Sequence, residues 1–431
     1  MIFNSKSFAV IGAAREHDKV GHVIFKNLLS KGIKTFPVNP KANEILGYKC
    51  YKNVSEINEK IDCVIIAIKH EFVPAVLEES GIKGIKNAVI ISAGFSETGD
   101  TKLENDISKI CDKYKMDLIG PNTLGYINPY LSINASFFEG MPEKGKIAFL
   151  SQSGAIGTAI LDMKIPLSGF VSLGNMTNMD FSEFIDYFSK DKNTEVIALY
   201  MESLNKGKGK RFIESCRKSK KPIVVLKAGK TELGKKVAST HTAALASEEG
   251  IYEGIFKQLK LIEVDSIKQL FLVSKILAEN KNIGKKACII TNAGGLGVLS
   301  SDYCIKNNIE IPILPEKIKN RLNTFLHSGW SKGNPVDVLG DAKAEVYERT
   351  IKELQNEKFF DFFIVLLTPQ YMTEPEKTAE AILKIKSKTV FACFMGGEKV
   401  EKARKNLSEK IIIFDDVKDM AEVLGKAVNP L

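Results

Sequence analysis

Short apolar runs alternate with helical stretches from residue 7 to about residue 128 of the chain. This alternation is typical of a parallel sheet that is covered by helices on both faces. The apolar runs predict five strands: Ser7–Ile11, Thr35–Val38, Cys63–Ile68, Ala88–Ile91 and Asp117–Ile119. The first part of the chain is therefore predicted to be an α/β domain.

Small or polar residues follow each of these predicted strands. They are Gly12-Ala13-Ala14, Asn39-Pro40-Lys41, Lys69-His70, Ser92-Ala93-Gly94 and Gly120-Pro121-Asn122-Thr123. In an open α/β sheet, ligands bind at the carboxyl edge of the strands. The pattern therefore predicts a nucleotide-type site at this edge.

The first predicted turn departs from the dinucleotide-binding fingerprint. After Gly12 the next glycine is Gly21, so the three-glycine spacing is absent, and no acidic residue follows the second strand. Lys41 stands there instead and suits a phosphate, although a solvated loop lysine is the alternative. These departures argue against a nicotinamide-dependent dehydrogenase.

A second α/β unit begins at Lys146, where the strand Ile147–Leu150 runs into Ser151-Gln152-Ser153-Gly154-Ala155-Ile156-Gly157. A helix that starts here offers free backbone N–H groups and the positive end of its dipole, which together suit a phosphate. The alternative is that the serines serve only as N-caps.

His241 is the candidate nucleophile of this unit. Small and hydroxylated residues surround it in Val237-Ala238-Ser239-Thr240-His241-Thr242-Ala243-Ala244-Leu245, so its ring can meet an incoming group. Glu202 follows the predicted strand Val196–Tyr200, and a carboxylate on one ring nitrogen would leave the other free to attack. The alternatives are a surface or capping histidine and a glutamate that caps the next helix.

A third unit repeats the second. Lys146–Gly157 matches Lys286–Gly297 in pattern, Val196–Tyr200 corresponds to Phe362–Leu367, and Ile223–Leu226 corresponds to Val390–Phe394. The last strand leads to His241 in the second unit but to Met395-Gly396-Gly397-Glu398-Lys399 in the third. We therefore predict domains at residues 1–140, 141–282 and 283–431, of which the third is a non-catalytic copy.

Composition narrows the class of protein. A chain of 431 residues, 44% of them hydrophobic, can form two or three domains with sizeable cores. The net charge of +9 is scattered, which favours an anionic small ligand or an acidic partner over nucleic acid. The seven cysteines form no C-x-x-C pair, and Cys63, Cys288 and Cys393 lie in apolar runs. With no signal peptide and no membrane-length apolar run, a cytoplasmic protein with reduced, buried thiols is expected.

Six motifs in order resemble the α subunit of nucleoside-diphosphate-forming acyl-CoA synthetases, the group that includes succinyl-CoA synthetase. The likeness is closer to archaeal ADP-forming acetyl-CoA synthetase and covers essentially the whole chain. The motifs are Ala9-Val10-Ile11-Gly12-Ala13-Ala14, Pro37-Val38-Asn39-Pro40, Ile91-Ser92-Ala93-Gly94-Phe95, Gly120-Pro121-Asn122-Thr123-Leu124-Gly125, Leu150-Ser151-Gln152-Ser153-Gly154 and Ser239-Thr240-His241-Thr242. The resemblance implies a Rossmann-like CoA-binding domain followed by two flavodoxin-like parallel-sheet domains.

The resemblance also implies roles for individual residues. His241 matches the histidine that is phosphorylated, Glu202 the glutamate that orients it, and Ser151, Ser153 and Gly154 the helix start that holds phosphate. The implied CoA-binding residues are Gly12, Ala13, Ala14, Asn39, Lys41, Ile68, Ser92, Asn122 and Thr123. Thr123 stands where relatives often have cysteine, and it keeps a polar group at that position but not a thiol. No metal site is expected on this chain.

The implied reaction interconverts acyl-CoA, ADP and phosphate with a carboxylic acid, CoA and ATP through an acyl phosphate and phosphohistidine. ADP or ATP with Mg²⁺ would lie on a separate ATP-grasp β subunit, in an α2β2 assembly. The expected ligands are CoA, phosphate and a small carboxylic acid, with neither nucleic acid nor membrane as a partner. The loops Leu131–Phe138 and Gly169–Asn178 are expected to shape the acyl pocket. The alternative function is a non-catalytic CoA-binding regulator or scaffold.

Overall fold

The computed structural model describes residues 2–231, 233–234, 249–279 and 283–428. They belong to two compact units, Met1–Leu270 and Phe271–Leu431. The predicted stretch around His241 lies outside the described residues, and so do residues 280–282.

The first sheet of the first unit is parallel and has five strands. It contains β1 (Ser7–Ile11), β2 (Lys34–Val38), β5 (Cys63–Ile66), β6 (Asn87–Ile90) and β7 (Asp117–Ile119), while β3 (Glu44–Ile45) and β4 (Tyr48–Lys49) form a small hairpin. The strand order is β2-β1-β5-β6-β7, and the described helices beside it are α1 (Val20–Leu29), α2 (Val73–Ile82) and α3 (Thr101–Tyr114). All residues of β1 and β5 are buried, as expected for strands covered on both faces.

The second sheet of this unit has seven strands. They are β8 (Gly125–Asn128), β9 (Ile133–Ser136), β10 (Lys144–Ser151), β11 (Leu167–Ser172), β12 (Val196–Met201), β13 (Ile223–Lys227) and β14 (Ile262–Val264). Their order is β14-β13-β12-β10-β11-β8-β9, with β8 antiparallel to both β11 and β9. The described helices that follow are α4 (Gly154–Asp162), α5 (Phe181–Lys190), α6 (Gly209–Lys218), α7 (Glu249–Gln258) and α8 (Ile267–Glu279).

Strands β8 and β9 precede the predicted domain boundary at residue 140, yet they extend the second sheet. The two sheets also share one hydrophobic core. The Tyr126 hydroxyl on β8 donates to the Ile2 carbonyl across 2.9 Å, and the Phe3 ring lies 5.3 Å from the Tyr126 ring and 5.1 Å from that of Phe188. The start of the chain is thus packed against the second sheet, and the domain boundaries stay a prediction.

The second unit contains one five-stranded parallel sheet. Its strands are β15 (Ala287–Thr291), β16 (Val336–Asp337), β17 (Phe362–Leu367), β18 (Thr389–Phe394) and β19 (Ile413–Phe414), in the order β16-β15-β17-β18-β19. The described helices are α9 (Gly294–Lys306), α10 (Glu316–Leu322), α11 (Ala344–Leu354), α12 (Pro375–Leu383), α13 (Glu398–Ser408) and α14 (Val417–Val428).

The parallel strands of the second and third sheets have the same order. Counted along each repeat it is 2-1-3-4-5, the flavodoxin-like order. The predicted counterparts β12 and β17 are both third strands, and β13 and β18 are both fourth strands. The internal repeat predicted from the sequence is therefore confirmed.

Two expectations about burial and membranes can be compared with this fold. Cys63, Cys288 and Cys393 are buried, as expected, and the other four cysteines are buried free thiols as well. Across the described ranges, no helix combines the length and the apolarity needed to cross a bilayer.

Candidate functional site

A cavity of about 870 Å³ lies in the first unit between residues of the two sheets. Strand ends of the first sheet supply Ile68, Ser92, Asn122 and Thr123, and the second sheet supplies Ser153, Gly154 and Glu202. The other lining residues are Val20, Ala67, Ile91, Ala93, Leu124, Phe137, Gln152, Ala155, Thr158, Gly174 and Asn175. Seven predicted site residues thus meet in one place.

Ser92 joins two strand ends at the edge of the first sheet. Its hydroxyl donates to the Ile68 carbonyl across 2.5 Å and accepts from the Ile68 N–H across 3.2 Å. The Ser92 carbonyl in turn accepts from the Asn122 N–H across 2.9 Å. These bonds link the loops after β5, β6 and β7 into one wall of the cavity.

Asn122 and Thr123 differ in what their side chains do. Asn122 has a left-handed backbone with φ of 58°, and its amide donates to Asn175 Oδ1 across 3.4 Å. The Thr123 hydroxyl donates to the Ser172 carbonyl and accepts from the Gly125 N–H. Thr123 therefore uses its polar group to tie this loop to β11.

The other five predicted CoA-binding residues do not line this cavity, as the described residues define it. Gly12 has φ of +88°, and a Cβ there would lie 2.2 Å from the Ala67 carbonyl oxygen, so only glycine fits. The Asn39 amide donates to the Ala13 carbonyl across 2.8 Å. The Ala14 carbonyl contacts His22 Nδ1 at 3.0 Å, and Lys41 is exposed. This group lies at the ends of β1 and β2, whereas the first-sheet part of the cavity wall consists mainly of residues that follow β5, β6 and β7, with Val20 from the start of helix α1.

The start of helix α4 has the properties expected of an anion site. Ser153 is its N-cap, with Oγ accepting from the Ile156 N–H across 3.3 Å. The N–H groups of Gly154 and Ala155, which both line the cavity, have no hydrogen-bond partner in the described part of the chain. The N-cap alternative is thus correct for the Ser153 side chain, while two backbone donors remain for a ligand.

Ser151 lies behind this helix start. It is fully buried, and its hydroxyl donates to the Ser153 carbonyl across 2.7 Å. Ser151 therefore supports the turn, and its side chain is not part of the cavity wall formed by the described residues.

Glu202 lines the cavity directly after β12. The next helix along the described chain begins at Gly209, with Lys208 as its N-cap, so Glu202 does not cap it. Burial and the negative charge of Glu202 raise the pKa of Tyr200 to about 12. Tyr200 therefore stays protonated beside the carboxylate, while the buried Lys227 ammonium donates to the Glu202 carbonyl across 2.7 Å.

The described residues on either side of the His241 stretch pack near Glu202. At the end of β13, the Ala228 N–H donates to the Met201 carbonyl across 2.8 Å. On helix α7, the Tyr252 hydroxyl accepts from the Leu204 N–H across 3.1 Å. Ala228, which precedes the His241 stretch in the sequence, and Tyr252, which follows it, therefore both contact the loop that carries Glu202.

Gln152, Asn175 and Phe137 are among the cavity residues that received no individual role from the sequence. Gln152 stands inside a motif that signals the helix start, and its side-chain oxygen accepts from the N–H groups of Glu202 and Ser203. Asn175 belongs to one of the loops expected to shape the acyl pocket, and Phe137 belongs to the other. The polar residue at position 152 within a turn motif is a signal that could have marked it as a candidate. Its partner Glu202 is 50 residues away, so the sequence did not show what it contacts.

Three family models match successive parts of the chain. A CoA binding domain matches residues 6–129, a succinyl-CoA ligase like flavodoxin domain residues 144–277, and a Ligase-CoA domain residues 287–425. The chain thus contains a CoA-binding domain followed by two further α/β domains.

Curated relatives and a solved structure resemble the chain over nearly its whole length. Acetate–CoA ligase (ADP-forming) I of Archaeoglobus fulgidus is 39% identical over 99% of this chain, which spans 63% of that relative. Acetate–CoA ligase (ADP-forming) II subunit alpha of Pyrococcus furiosus is 39% identical over 95% of this chain and 92% of the relative. The structure of Ca. Korarchaeum cryptofilum dinucleotide forming acetyl-coenzyme A synthetase 1, in complex with phosphate and ADP, has a TM-score of 0.93 and 33% identity over 99% of this chain and 95% of that one. The chain therefore belongs to the family of ADP-forming acetate–CoA ligases.

Proposed function

We propose that this chain acts as the α subunit of an ADP-forming acyl-CoA synthetase. Such an enzyme interconverts acyl-CoA, ADP and phosphate with a carboxylic acid, CoA and ATP. The observation that carries the proposal is the single cavity in which Ser92 and Asn122 of the CoA-binding part meet the free N–H groups of Gly154 and Ala155, and Glu202.

The first proposed step is acyl transfer to phosphate. A phosphate oxygen attacks the thioester carbonyl carbon, the carbon–sulfur bond breaks, and CoA leaves as the thiolate with acyl phosphate as the product. The N–H groups of Gly154 and Ala155, with the dipole of helix α4, offset the negative charge of the phosphate. These N–H groups would also hold the acyl phosphate while the His241 ring approaches it.

The second proposed step transfers the phosphoryl group to His241. A neutral ring nitrogen attacks phosphorus, the bond to the acyl oxygen breaks, and the carboxylate leaves. A hydrogen bond from the other ring nitrogen to the Glu202 carboxylate would hold the tautomer and stabilise the positive charge that develops. The contacts of Ala228 and Tyr252 with the Glu202 loop support this pairing, because these residues precede and follow the His241 stretch in the sequence.

The third proposed step passes the phosphoryl group from phosphohistidine to ADP on an ATP-grasp β subunit, where Mg²⁺ would offset the charge of the nucleotide. The subunit alpha name of the Pyrococcus furiosus relative supports a second subunit, and we propose an α2β2 assembly. The third sheet lacks a histidine after β18, so we propose that it does not carry the phosphoryl group.

The test is phosphorylation of the full chain with its β partner, using acetyl-CoA and radiolabelled inorganic phosphate. Wild type should acquire acid-labile, base-stable label, and His241→Ala should acquire none. Glu202→Gln should be labelled more slowly at an unchanged affinity for CoA.

The alternative function predicts a different result. A non-catalytic CoA-binding scaffold would bind CoA but take up no label from any of several acyl-CoAs, with or without the β subunit. That outcome would contradict the proposed synthetase.

A further inference from the structure

We propose that Gln152 is a positioning residue that holds Glu202 in place for phosphoryl transfer to His241. This inference rests on the proposed function and deepens it. The relation of Glu202 to His241 is predicted from the position of Glu202 after a strand and from the family resemblance, whereas the role of Gln152 follows from the geometry around its side chain.

The Gln152 amide is fixed by two backbone donors. Its Oε1 accepts from the Glu202 N–H across 2.6 Å and from the Ser203 N–H across 3.0 Å. Two N–H donors at one end identify that end of the amide as the oxygen. Its Nε2 faces the Ser203 hydroxyl at 3.4 Å, so a single side chain holds two successive peptide groups.

The two side chains that hold the Glu202 backbone are buried. Gln152 is 7% exposed and Lys227 is 8% exposed. Lys227 Nζ donates to the carbonyl oxygen of Glu202, whose N–H is held by Gln152. Strands β10 and β13 flank β12 on its two sides. Gln152 after β10 and Lys227 on β13 therefore hold the backbone of Glu202 from both sides, and Glu202 itself lines the cavity.

The third sheet contains the same device in a shorter form. Asn292 occupies the position of Gln152 after the first strand of the repeat, and Thr368 occupies the position of Glu202 after the third strand. Asn292 Oδ1 accepts from the Thr368 N–H across 2.9 Å, and its Nδ2 donates to the Thr368 carbonyl across 2.9 Å. An amide at this position thus holds the loop in both repeats. In the third sheet the residue after Thr368 is Pro369, which has no N–H, so Asn292 Oδ1 accepts from one backbone N–H where Gln152 Oε1 accepts from two.

Positioning matters because the carboxylate must meet a particular ring nitrogen of His241. A shift of about 1 Å in a reacting constellation can lower a rate on the order of 100-fold. Without Gln152, two buried N–H groups would lose their acceptor, and the loop would move to regain one. Glu202 would then spend less time at the place from which it can hold the imidazole.

The experiment is a double-mutant cycle in the complex of the chain with its β partner. The variants are Gln152→Leu, Glu202→Gln and the two together, and the readouts are the single-turnover rate of His241 labelling and the affinity for CoA. Gln152→Leu should slow labelling on the order of 10- to 100-fold with CoA affinity unchanged. In the Glu202→Gln background, Gln152→Leu should slow labelling by no more than a further factor of about two, because the carboxylate that Gln152 positions is already absent.

Two further variants separate positioning from loss of stability. Gln152→Asn places at this position the residue that the third sheet has there, and the variant should fold. Its labelling rate should lie between those of wild type and Gln152→Leu. If Gln152→Leu does not fold, the comparison is made with Gln152→Asn. Thr194→Val removes another buried hydrogen-bonding side chain, one that precedes β12 and does not line the cavity formed by the described residues, and should not slow labelling.

The outcomes are distinct. Multiplicative losses in the double variant, or labelling of Gln152→Leu and Gln152→Asn at the wild-type rate, would overturn the positioning role while the synthetase function stands. Absence of label on wild type with its partner would overturn both.

Discussion

The Asn175 side-chain amide donates to Glu97 Oε2 across 2.6 Å and joins the two sheets of the first unit at the cavity. The same nitrogen contacts Glu104 Oε2 at 3.0 Å and Ser96 Oγ at 3.2 Å. Asn175 follows β11 of the second sheet, whereas its three partners follow β6 of the first. One amide therefore holds together the two walls between which the ligand is proposed to bind.

Replacing Asn175 should weaken the first unit. Asn175→Ala removes hydrogen bonds to carboxylates and should lower the free energy of unfolding by about 2 kcal/mol, measured in urea. Asn175→Asp should lower it further at neutral pH, because a third carboxylate would face Glu97 and Glu104. As a control, Thr177→Val removes one bond to Glu104 and should cost about 1 kcal/mol. Equal midpoints for wild type and Asn175→Ala would contradict the role of this contact.

The stability of the first unit should depend on pH through Glu97. Burial alone would raise the pKa of Glu97, but hydrogen bonds from Asn175 and from the N–H groups of Gly94 and Phe95 outweigh it and lower the pKa. The folded state therefore binds the proton less tightly than the unfolded chain does. The resulting stability is present above the ordinary glutamate pKa of 4.5 and is lost as the pH falls through the lowered folded value.

Glu97→Gln tests this dependence. Unfolding measured across the acid range should show that wild type loses its advantage over Glu97→Gln as the pH falls below about 4.5. An advantage that stayed constant across that range would show that the Glu97 charge does not contribute.

Tyr200 reports on the charge of Glu202. Burial and the Glu202 carboxylate raise the Tyr200 pKa to about 12, so Glu202→Gln should lower it while burial keeps it above 10. The measurement is an alkaline titration of phenolate absorbance, with Tyr200→Phe as the blank that isolates this residue. An unchanged titration in Glu202→Gln would place the two groups apart.

Substitution by alanine should lower stability at Gly12 and slow labelling at Gly154. Gly12→Ala places a Cβ 2.2 Å from the Ala67 carbonyl oxygen at a positive φ and should destabilise the chain by more than about 1 kcal/mol. At Gly154 the nearest atom would be 3.8 Å away, so Gly154→Ala should fold normally. Its methyl group would stand at the cavity wall and should slow phosphate-dependent labelling. Thermal unfolding and labelling together check the pair, and normal labelling by Gly154→Ala would argue against phosphate at this helix start.

Most strands were predictable because a strand that is buried on both faces appears in the sequence as a continuous apolar run. β1, β7 and β17 have the predicted bounds, and β10 extends beyond its predicted range at both ends. β8 and β9 were not predicted. Both are short. β8 pairs with β11 through residues more than 40 positions apart, and β9 joins the sheet only through β8.

The sequence by itself determined the parallel α/β architecture, the internal repeat and the helix start at Gly154, because each depends on local patterns of apolar, small and capping residues. The predicted roles of His241 and Glu202 came from the small residues around the histidine, from the position of Glu202 after a predicted strand, and from motif resemblance. Only the tertiary structure decided which of the predicted site residues share the cavity. Ile68, Ser92 and Asn122 meet Glu202 there, whereas Gly12, Asn39 and Lys41 lie at neighbouring strand ends. The clamp by Gln152 and the contacts of Asn175 likewise join segments far apart in the chain, and such pairings depend on how the two sheets pack together.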